Sequence, residues 1–353
     1  MDNFAAFAQH EGQGYAPLYE QLSSVIAADP QLASLLLAAP PEQRRHTLYF
    51  AALHYLILEH PDHELAAWYP TVASDARSDD PADALRGFCD TFAVELRVLL
   101  ATRRTQTNEV GRGAVLHPAI SWTFAGSGDP IRLVDLGCSA GLNLLVDRWR
   151  YAYTDGSTRG DPSSPVHVPC TLRGDQTLPA SGIPPIATRS GIDLGPVDLR
   201  DPEQTRWLQA CVFADQPERF LRLSRAIDAA GKSPPEVVEG DVVDRLPSVL
   251  ADLLDSPGAV CITSTWTLAY VEPDRREHLY DLLADQGQSA ALHLITGEPP
   301  GVDIDHAPPG IPSEATIWVH TAFGPDGPRK TVLGFSHPHG SWLEWQAPPE
   351  AHA

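Results

Sequence analysis

Basic residues are scarce in this chain of 353 residues. Lysine occurs only at Lys232 and Lys330. The chain has 25 Lys and Arg in total but 46 Asp and Glu, which gives a formal net charge of -21. Nucleic acids and anionic membrane surfaces are bound by clustered cationic side chains, so we expect neither as a partner of so acidic a protein. The composition favours a small molecule or a protein side chain instead.

Cysteine pairs and long apolar runs are also missing. The five cysteines are widely spread and include no Cys-x-x-Cys pair, which argues against a disulfide framework and a zinc knuckle. His337 and His339 flank a proline, but two histidines without a third ligand more often form a turn, so we expect no metal site. No apolar run reaches about 18 residues and the first residues do not resemble a signal peptide, so we expect a cytoplasmic protein.

The clearest signal lies at residues 131–147, IRLVDLGCSAGLNLLVD. The apolar, partly β-branched run from Ile131 predicts a buried parallel strand, with Asp135 next to its end. Gly137 and Gly141 frame the following turn, where glycine tolerates positive φ and lets a ligand approach the backbone. The residues after the turn favour a helix, whose first N–H groups would point at that ligand. The segment therefore predicts a strand, a tight loop and a helix that hold a polar or anionic cofactor tail.

Several kinds of loop compete for this string. A dinucleotide-binding fingerprint needs a small residue where this chain has Leu142, which weakens that interpretation. A nucleophile elbow fits GCSAG, with Ser139 as the nucleophile. A serine hydrolase that completes a triad with Asp241 and either His320 or His337 therefore stays open. The plain alternative is a glycine turn that only joins strand to helix.

The same stretch resembles the first motif of class I S-adenosylmethionine-dependent methyltransferases. The resemblance lies in an acid followed by small residues at alternate positions: Asp135, Gly137, Ser139 and Gly141. Ser139 stands where the family usually has its middle glycine. The resemblance implies that these residues, together with Asn143, bind S-adenosylmethionine.

The chain after this loop alternates between strand-like and helical runs. Strands are predicted near residues 186–194, 236–239, 259–263 and 291–296, and helices at 201–230, 242–254 and 274–286. Residues 315–323 and 330–335, joined by GPDGP, predict an antiparallel hairpin. We therefore expect an α/β fold with a doubly wound, mostly parallel sheet and a C-terminal antiparallel hairpin, as the methyltransferase resemblance implies. A hydrolase elbow would instead follow several strands, whereas everything before residue 131 looks helical.

The pattern also predicts two domains. Residues 1–126 read as an all-helical domain that covers the site, and His54 within it is expected to be a hydrogen-bonded core histidine. A glycine- and proline-rich stretch at 126–130 separates it from an α/β domain at 127–353. This second domain carries a Pro/Gly-rich insertion near 151–185. The sequence leaves the oligomeric state open.

The methyltransferase resemblance implies further binding residues. Asp241, after Gly240 at the end of the predicted third strand, would meet the adenine amino group. Asp193 is the best candidate for the acid that binds the ribose, with Asp198 behind it, although backbone capping is a plain alternative for both. Trp266 follows the predicted fourth strand, where STWT replaces the Asn/Asp-Pro-Pro-aromatic string of many amino-group methyltransferases. That replacement argues against methylation of a nucleobase amino group.

Few catalytic groups are needed, because methyl transfer from a sulfonium is an in-line displacement. We expect Trp266 and Tyr270 to form walls of the acceptor site. Glu298, at the end of the predicted fifth strand, is a candidate base or substrate anchor. Surface turns and core packing are the plain alternatives for these residues.

The string TNEVGR at residues 107–112 has two interpretations. In the plain one, Thr107 or Asn108 caps a helix and Glu109 favours its first turn. In the functional one, Glu109 or Arg112 lies over the cofactor as a lid or substrate clamp.

Nearly the whole chain resembles a family of uncharacterised bacterial proteins known as a domain of unknown function with a methyltransferase-like half. The strings that carry this resemblance lie at residues 16–19, 52–56, 106–112, 135–143, 215–219 and 240–241. They imply an architecture and no substrate. We expect an S-adenosylmethionine-dependent methyltransferase acting on a small molecule, and keep a non-catalytic S-adenosylmethionine or nucleoside binding module and the serine hydrolase as alternatives.

Overall fold

The computed structural model describes residues 2–12, 14–180, 182–255 and 258–348. The contacts between residues divide the chain into two compact units. The first unit comprises Met1–Thr107 and Asp198–Ser224, and the second comprises Asn108–Val197 and Arg225–Ala353. These units have other bounds than the predicted domains at 1–126 and 127–353, because each unit is built from two stretches of chain. None of the helices in the described ranges combines the length and hydropathy of a membrane span.

Helices occur in both compact units. The α-helices are α1 (Asp2–Ala6), α2 (Pro17–Ala28), α3 (Pro30–Ser34), α4 (His46–Glu59), α5 (Ala82–Thr91), α6 (Ala93–Thr102), α7 (Gly113–Thr123), α8 (Pro202–Ala210), α9 (Pro217–Ala230), α10 (Val242–Leu254) and α11 (Pro273–Gly287). A π-helical turn covers Phe7–Glu11, and short 3-10 helices cover Leu35–Ala38, Pro41–Gln43, Glu64–Trp68, Val110–Arg112, Leu142–Leu145 and Leu268–Tyr270.

The first unit is helical and packs around α4. This helix is buried on nearly all sides, as its apolar sequence predicts. His54 at its centre is fully buried, with Nδ1 3.1 Å from the carbonyl oxygen of Val212 and Nε2 2.8 Å from Oγ1 of Thr71. Burial lowers the pKa of His54 to about 4. The prediction of a hydrogen-bonded core histidine is confirmed.

One predicted helix is wrong in extent. The expected helix at 201–230 is two helices, α8 and α9, with an irregular connection at 211–216. Pro217 begins α9, and a proline ring cannot follow an uninterrupted helical turn without clashing with it. The apolar periodicity continues across the break, which is why the sequence pattern alone did not reveal it.

The second unit contains a single sheet. Its strands are β1 (Ile131–Leu136), β2 (Arg150–Tyr153), β3 (Thr158–Gly160), β4 (His167–Arg173), β5 (Ile186–Asp193), β6 (Glu236–Glu239), β7 (Val260–Thr265), β8 (Leu292–Glu298), β9 (Thr316–Phe323), β10 (Arg329–Ser336) and β11 (Trp342–Trp345). They lie in the order β3-β2-β4-β11-β10-β9-β8-β7-β1-β5-β6. The predicted mixed α/β class with a large, mostly parallel sheet is confirmed, and so is the antiparallel hairpin of β9 and β10.

Neighbouring strands from β6 through β5, β1 and β7 to β8 are all parallel. After β1 the chain first forms β2, β3 and β4 at the far edge of the sheet, and it then adds β5 and β6 on one side of β1 and β7 on the other side. The strand order therefore reverses between β1 and β7. In open α/β sheets a crevice forms at such a point, beyond the carboxyl ends of the strands.

Helices cover both faces of this parallel part. Val134, Leu136 and Ile262 pack with apolar residues of α10 and α11 in one core. Because side chains alternate along a strand, Asp135 points to the opposite face. Helix α7 packs on that face further along the sheet, where its Ala114 carbonyl accepts a 2.8 Å hydrogen bond from the Tyr153 hydroxyl.

The chain near the glycine turn differs from the expectation in one helix and several strands. The helix expected after Gly141 is only the 3-10 helix Leu142–Leu145, because the aromatic run that starts at Trp149 leads into β2. The Pro/Gly-rich insertion near 151–185, for which no elements were predicted, contains most of β2 and all of β3 and β4. Strand β11, which the sequence pattern did not predict, joins β4 to the hairpin.

Candidate binding site at the carboxyl edge of the sheet

The carboxyl ends of β6, β5, β1, β7 and β8 lie side by side in that order. We call this region the carboxyl edge and define it by residues 135–141, 193, 240–241, 265–267 and 298. It carries most of the residues that the sequence predicts to bind or act on a ligand. Their placement follows from parallel strands, because equivalent ends of such strands meet at one edge.

Asp135 is one of two acids of the carboxyl edge that are almost completely buried, the other being Glu298. Asp135 is 1% exposed, and its Oδ1 accepts a 2.7 Å hydrogen bond from Oγ1 of Thr263 on β7. Burial raises the pKa of Asp135 to about 7, although the bond from Thr263 and the charge of Arg112 act in the other direction. A cationic group placed beside this carboxyl would favour its charged form.

The loop after β1 alternates through the left-handed backbone region. Gly137, Ser139 and Gly141 have φ of 70°, 54° and 73°. A Cβ at Gly137 would overlap the side chain of Thr267, so that position requires glycine for space as well as for φ. Ser139 adopts this backbone conformation although it has a Cβ. Such strained non-glycine residues are often found in functional turns.

Asp193, at the end of β5, holds this loop in place. Its Oδ2 accepts a 2.7 Å hydrogen bond from the amide of Ser139, and its Oδ1 accepts a 2.9 Å bond from the amide of Gly195. Asp193 is half-buried, and its carbonyl oxygen accepts a 2.8 Å bond from the amide of Gly240. The predicted ribose acid therefore contacts both the glycine loop and the end of β6. Asp198 belongs to the other compact unit and is exposed.

Asp241 caps α10. Its Oδ1 accepts a 2.8 Å hydrogen bond from the amide of Val243 and a 2.6 Å bond from Nη2 of Arg275. Burial raises the pKa of Asp241, but the bond from Arg275 and the cap amides outweigh burial, so the pKa lies below its usual value. Asp241 thus caps α10, a role that the sequence interpretation did not assign to it, next to Gly240 at the carboxyl edge.

Two polar atoms beside the glycine loop have no hydrogen-bond partner among the described residues. They are Oγ of Ser139 and Oδ1 of Asn143, whose residues are 4% and 5% exposed. Buried polar groups are nearly always hydrogen-bonded, and exceptions often face water or a ligand. The amide of Leu142 between them donates a 3.0 Å bond to Oδ1 of Asn108.

The end of β7 and the turn after it form the other side of the edge. Trp266 has φ of 56°, and its Nε1 donates a 2.8 Å hydrogen bond to Oγ1 of Thr316 on β9. Among the described residues, Trp266 and Ser139 are the only non-glycine residues with positive φ. A tryptophan in this region is a backbone outlier that only a rigid surrounding sustains. Tyr270, in contrast, is 76% exposed.

Glu298 fastens this turn from β8. Its side chain is buried, and Oε1 accepts hydrogen bonds from Oγ of Ser264 at 2.9 Å and from the amides of Thr267 and Leu268 at 3.0 Å. Oε2 accepts a 3.3 Å bond from the amide of Ala269. Burial raises the pKa of Glu298, and these four donors oppose that effect. The geometry suits an anchor of the Trp266 turn better than a base.

Residues 108–112 reach the carboxyl edge from the segment before α7. Glu109, rather than Thr107 or Asn108, caps the 3-10 helix Val110–Arg112, with Oε1 accepting a 2.8 Å bond from the amide of Gly111. Arg112 is 7% exposed, and its Nη1 donates a 3.0 Å bond to the carbonyl oxygen of Thr265. The predicted cap is corrected, because Asn108 instead binds the glycine loop.

The residues of the predicted hydrolase triad are not brought together. Asp241 follows β6 and His320 lies on β9, five strand spacings or about 24 Å away across the sheet. His320 Nε2 is 3.0 Å from Nδ1 of His293, and His337 Nδ1 accepts a 3.0 Å bond from the amide of His339. A nucleophile needs a base within hydrogen-bond reach.

Sequence reasoning missed Thr263 as the partner of Asp135 and gave no role to Ser264 and Thr265 beyond replacing a motif. The available signal was the run of polar residues at the end of an otherwise apolar strand, fully buried in the structure. Buried hydroxyls need partners, so such a run indicates polar neighbours across the sheet. The partners themselves, Asp135, Glu298 and Arg112, come from distant parts of the chain.

Fold and edge together define an α/β protein with a polar site at the switch point of a parallel sheet. The chain belongs to the family described as "Uncharacterized protein conserved in bacteria (DUF2332)", whose pattern matches residues 1–345. This confirms the expected family of uncharacterised bacterial proteins, while its methyltransferase-like half stays a prediction. A search of curated proteins found no match.

Proposed function

We propose that this protein is an S-adenosylmethionine-dependent methyltransferase that acts on a small molecule. One observation carries the proposal: Asp135, Asp193, Asp241 and the strained glycine loop lie at or directly after the carboxyl ends of three adjacent strands next to the switch point. This is the place where open α/β sheets bind nucleotide-like ligands. The order of the parallel strands and the reversal at β1 support a class I methyltransferase arrangement.

The residues at the edge fit the donor. The unpartnered Oγ of Ser139 and Oδ1 of Asn143 offer hydrogen bonds to its polar amino-acid end, and Asp135 suits its ammonium group. The carboxylate of Asp193, beside the same loop, would accept hydrogen bonds from the ribose hydroxyls. Asp241, which follows the next strand outward, would bind the adenine base. A methyl-acceptor molecule would lie on the other side of the loop, beside Trp266.

S-Adenosylmethionine, when bound, supplies an electrophilic methyl group. The protein residues then bind, orient and exclude water. Glu298 fixes the Trp266 turn through backbone amides, and the indole is held by Thr316, so the acceptor wall is rigid. With a net charge of -21, the surface disfavours nucleic acid as acceptor, and of the remaining small molecules and protein side chains we propose a small molecule.

The test is a calorimetric and thermal titration with S-adenosylmethionine and with its demethylated product. Saturating ligand is expected to stabilise the protein by about 2.7 kcal/mol at roughly 100-fold excess over Kd. Asp193→Asn is expected to weaken binding, whereas Asp198→Asn, an exposed matched control, is expected to leave it unchanged. Failure of both ligands to bind the intact chain would refute the proposal.

Binding without turnover is the second candidate. It is favoured by Glu298, whose two oxygens already accept four hydrogen bonds, and by the exposure of Tyr270. Donor binding without methyl transfer to any compound in a metabolite panel would support this candidate over the enzyme.

A further inference from the structure

The backbone amides of the glycine loop are mostly engaged in hydrogen bonds within the protein. The amides of Gly137 and Cys138 both donate to the carbonyl oxygen of Ile192 on β5, at 2.8 and 3.3 Å. The amide of Gly141 donates to the carbonyl oxygen of Cys138 at 2.8 Å. A loop that cradles phosphate instead points successive N–H groups at its ligand. These three amides are therefore not available to a ligand.

Asn108 occupies the amide that begins the following 3-10 helix. Its Oδ1 accepts a 3.0 Å hydrogen bond from the amide of Leu142, the first residue of that helix. Asn108 is 5% exposed and comes from the segment before α7. With the amide of Ser139 bound by Asp193, at least five of the seven amides at 137–143 are engaged. The remaining two are not adjacent, so they do not form a concave binding site for an anion.

The side chains around the loop offer hydrogen-bond acceptors instead. Asp135 uses Oδ1 for the bond from Thr263, and its Oδ2 accepts no hydrogen bond from the described residues. Oδ1 of Asn143 also has no donor among them. The charge of Asp193 raises the pKa of Asp135, so the two carboxyl groups interact. A phosphate at this loop would meet two carboxyl groups and no set of amides, whereas a cation would be attracted to both.

Arg112 offsets only part of this negative charge. Its charge lowers the pKa of Asp135. Its Nε donates a 3.0 Å hydrogen bond to the carbonyl oxygen of Pro338, and its Nη1 donates a 3.0 Å bond to that of Thr265. One guanidinium that is tied to backbone carbonyls thus stands against the carboxyl groups of Asp135 and Asp193.

We propose that the glycine loop selects a cationic, hydrogen-bond-donating group and excludes phosphate, so that the ligand is a nucleoside with an ammonium group rather than a nucleotide. Asn108 and Asp193 are then specificity-determining residues, because each occupies an amide that a phosphate would need. This rests on the proposed function and narrows its ligand. The loop also contributes little to the binding of a ligand carboxylate, for the same reason.

The first test compares S-adenosylhomocysteine, adenosine, ADP and NAD by calorimetry with the full chain. S-Adenosylhomocysteine is expected to bind at least about 50-fold more tightly than ADP or NAD, and ADP no better than adenosine. Titrations at roughly 0.05 and 0.5 M NaCl separate the loop from the net charge of -21, because salt screens long-range repulsion but does not release the engaged amides. A preference of about tenfold for ADP over adenosine at either salt concentration would overturn the proposal.

The second test alters the amino-acid end of S-adenosylhomocysteine. N-acetylation removes the ammonium charge and is expected to weaken binding at least about 30-fold. Conversion of the carboxylate to its amide is expected to change Kd by less than about 5-fold. The reverse order would show that the ligand is held by its carboxylate, for example at Arg112, and would overturn the proposal.

The third test uncovers the amide of Leu142. Asn108→Ala is expected to raise the affinity for ADP relative to adenosine by about 5-fold or more, and a merely structural role of Asn108 would not change this ratio. Asn3→Ala, at an exposed position in the other unit, is the matched control. An unchanged ratio in a folded Asn108→Ala would overturn the role of Asn108. If melting shows that this variant does not fold, the wild-type panel decides.

The outcomes separate this proposal from the proposed function. Binding of S-adenosylhomocysteine together with equally tight binding of ADP or NAD would remove the selectivity of the loop and leave the methyltransferase proposal standing. Absence of binding by both S-adenosylmethionine and S-adenosylhomocysteine would instead remove the proposed function itself.

Discussion

Replacing Asp135 by asparagine is expected to stabilise the protein above neutral pH and to have little effect in acid. Burial raises the pKa of Asp135 from 3.8 to about 7 in the folded chain. For an acid whose folded pKa is raised, the contribution to stability is fully present below the unfolded pKa and is lost as pH rises through the folded pKa. Wild-type stability should therefore fall relative to Asp135→Asn between about pH 4 and 7.

The size of this effect follows from the two pKa values. The difference of about three units between the folded and unfolded pKa values corresponds to an upper limit of about 4 kcal/mol in the free energy of unfolding. Asp135 is 1% exposed, so solvent does not screen this difference. Asparagine has nearly the same shape, and its Oδ1 can keep the bond from Thr263. Near pH 4 the protonated acid and the amide should therefore be almost equivalent.

Urea unfolding followed by tryptophan fluorescence measures the difference. Six of the eight tryptophans, at positions 122, 149, 266, 318, 342 and 345, belong to the unit that contains the sheet. Asp129→Asn, at an exposed position with the same charge change, is expected to stay within about 0.5 kcal/mol at every pH. If wild type instead gains stability over Asp135→Asn as pH rises towards 7, the fold stabilises the carboxylate and the reasoning is wrong.

Four further outcomes are expected. Gly137→Ala should cost at least about 2 kcal/mol by urea unfolding, because of overlap and positive φ, whereas Gly126→Ala, with positive φ and open space, should cost about 1 kcal/mol. Glu298→Ala should cost about 3 kcal/mol by the same assay, because buried donors lose their acceptor. His54→Gln should reduce the loss of stability that wild type shows as pH falls from about 6.5 to 4, seen in acid melting curves, and the remaining loss includes the contributions of His117, His293 and His320, whose pKa values burial also lowers. Binding of S-adenosylmethionine near pH 6 should release a proton from Asp135, detected calorimetrically in buffers of different ionisation enthalpy, and a buffer-independent heat would contradict this.

Much of the sheet could be predicted because its signals are local. Apolar runs bounded by turn residues gave β1, β5, β6, β7 and β8 nearly to their ends, and a GPDGP turn between two strand-like runs gave the β9–β10 hairpin. The strands β2 to β4 and β11 were missed. Strands β4 and β11 pair across distant parts of the chain, whereas β2 pairs locally with β3 and β4 in a stretch whose Pro/Gly-rich composition does not show a strand pattern. The helix after Gly141 was predicted too long. It ends at Leu145, because strand β2 begins a few residues later, at Arg150.

The residues of the candidate site could likewise be predicted where the signal is local and not where it depends on distant parts of the chain. The glycine loop and Asp135 were found from one continuous motif, and the structure gives them the positive φ and burial that the motif implies. Glu298 and Arg112 were selected, but their partners could not be, because Leu268 and Thr265 are brought to them only by the sheet. Whether these residues bind a ligand stays a prediction.

Departures from ordinary folding rules concentrate at the carboxyl edge. An acid buried at the expense of its charged form lies at the end of β1, and the two non-glycine residues at positive φ in the described ranges, Ser139 and Trp266, follow β1 and β7. Two of the buried polar atoms without partners, on Ser139 and Asn143, lie beside them, although others, such as the hydroxyls of Tyr19 and Tyr69, lie elsewhere. Each one lowers stability, and substitutions as simple as Asp135→Asn or Ser139→Gly would relieve it. Local rules are broken together mainly where binding or catalysis requires it, since elsewhere such costs have no compensation. By contrast, neither α4 nor the β9–β10 hairpin has a non-glycine residue at positive φ, and this contrast makes the edge the place to look for a ligand.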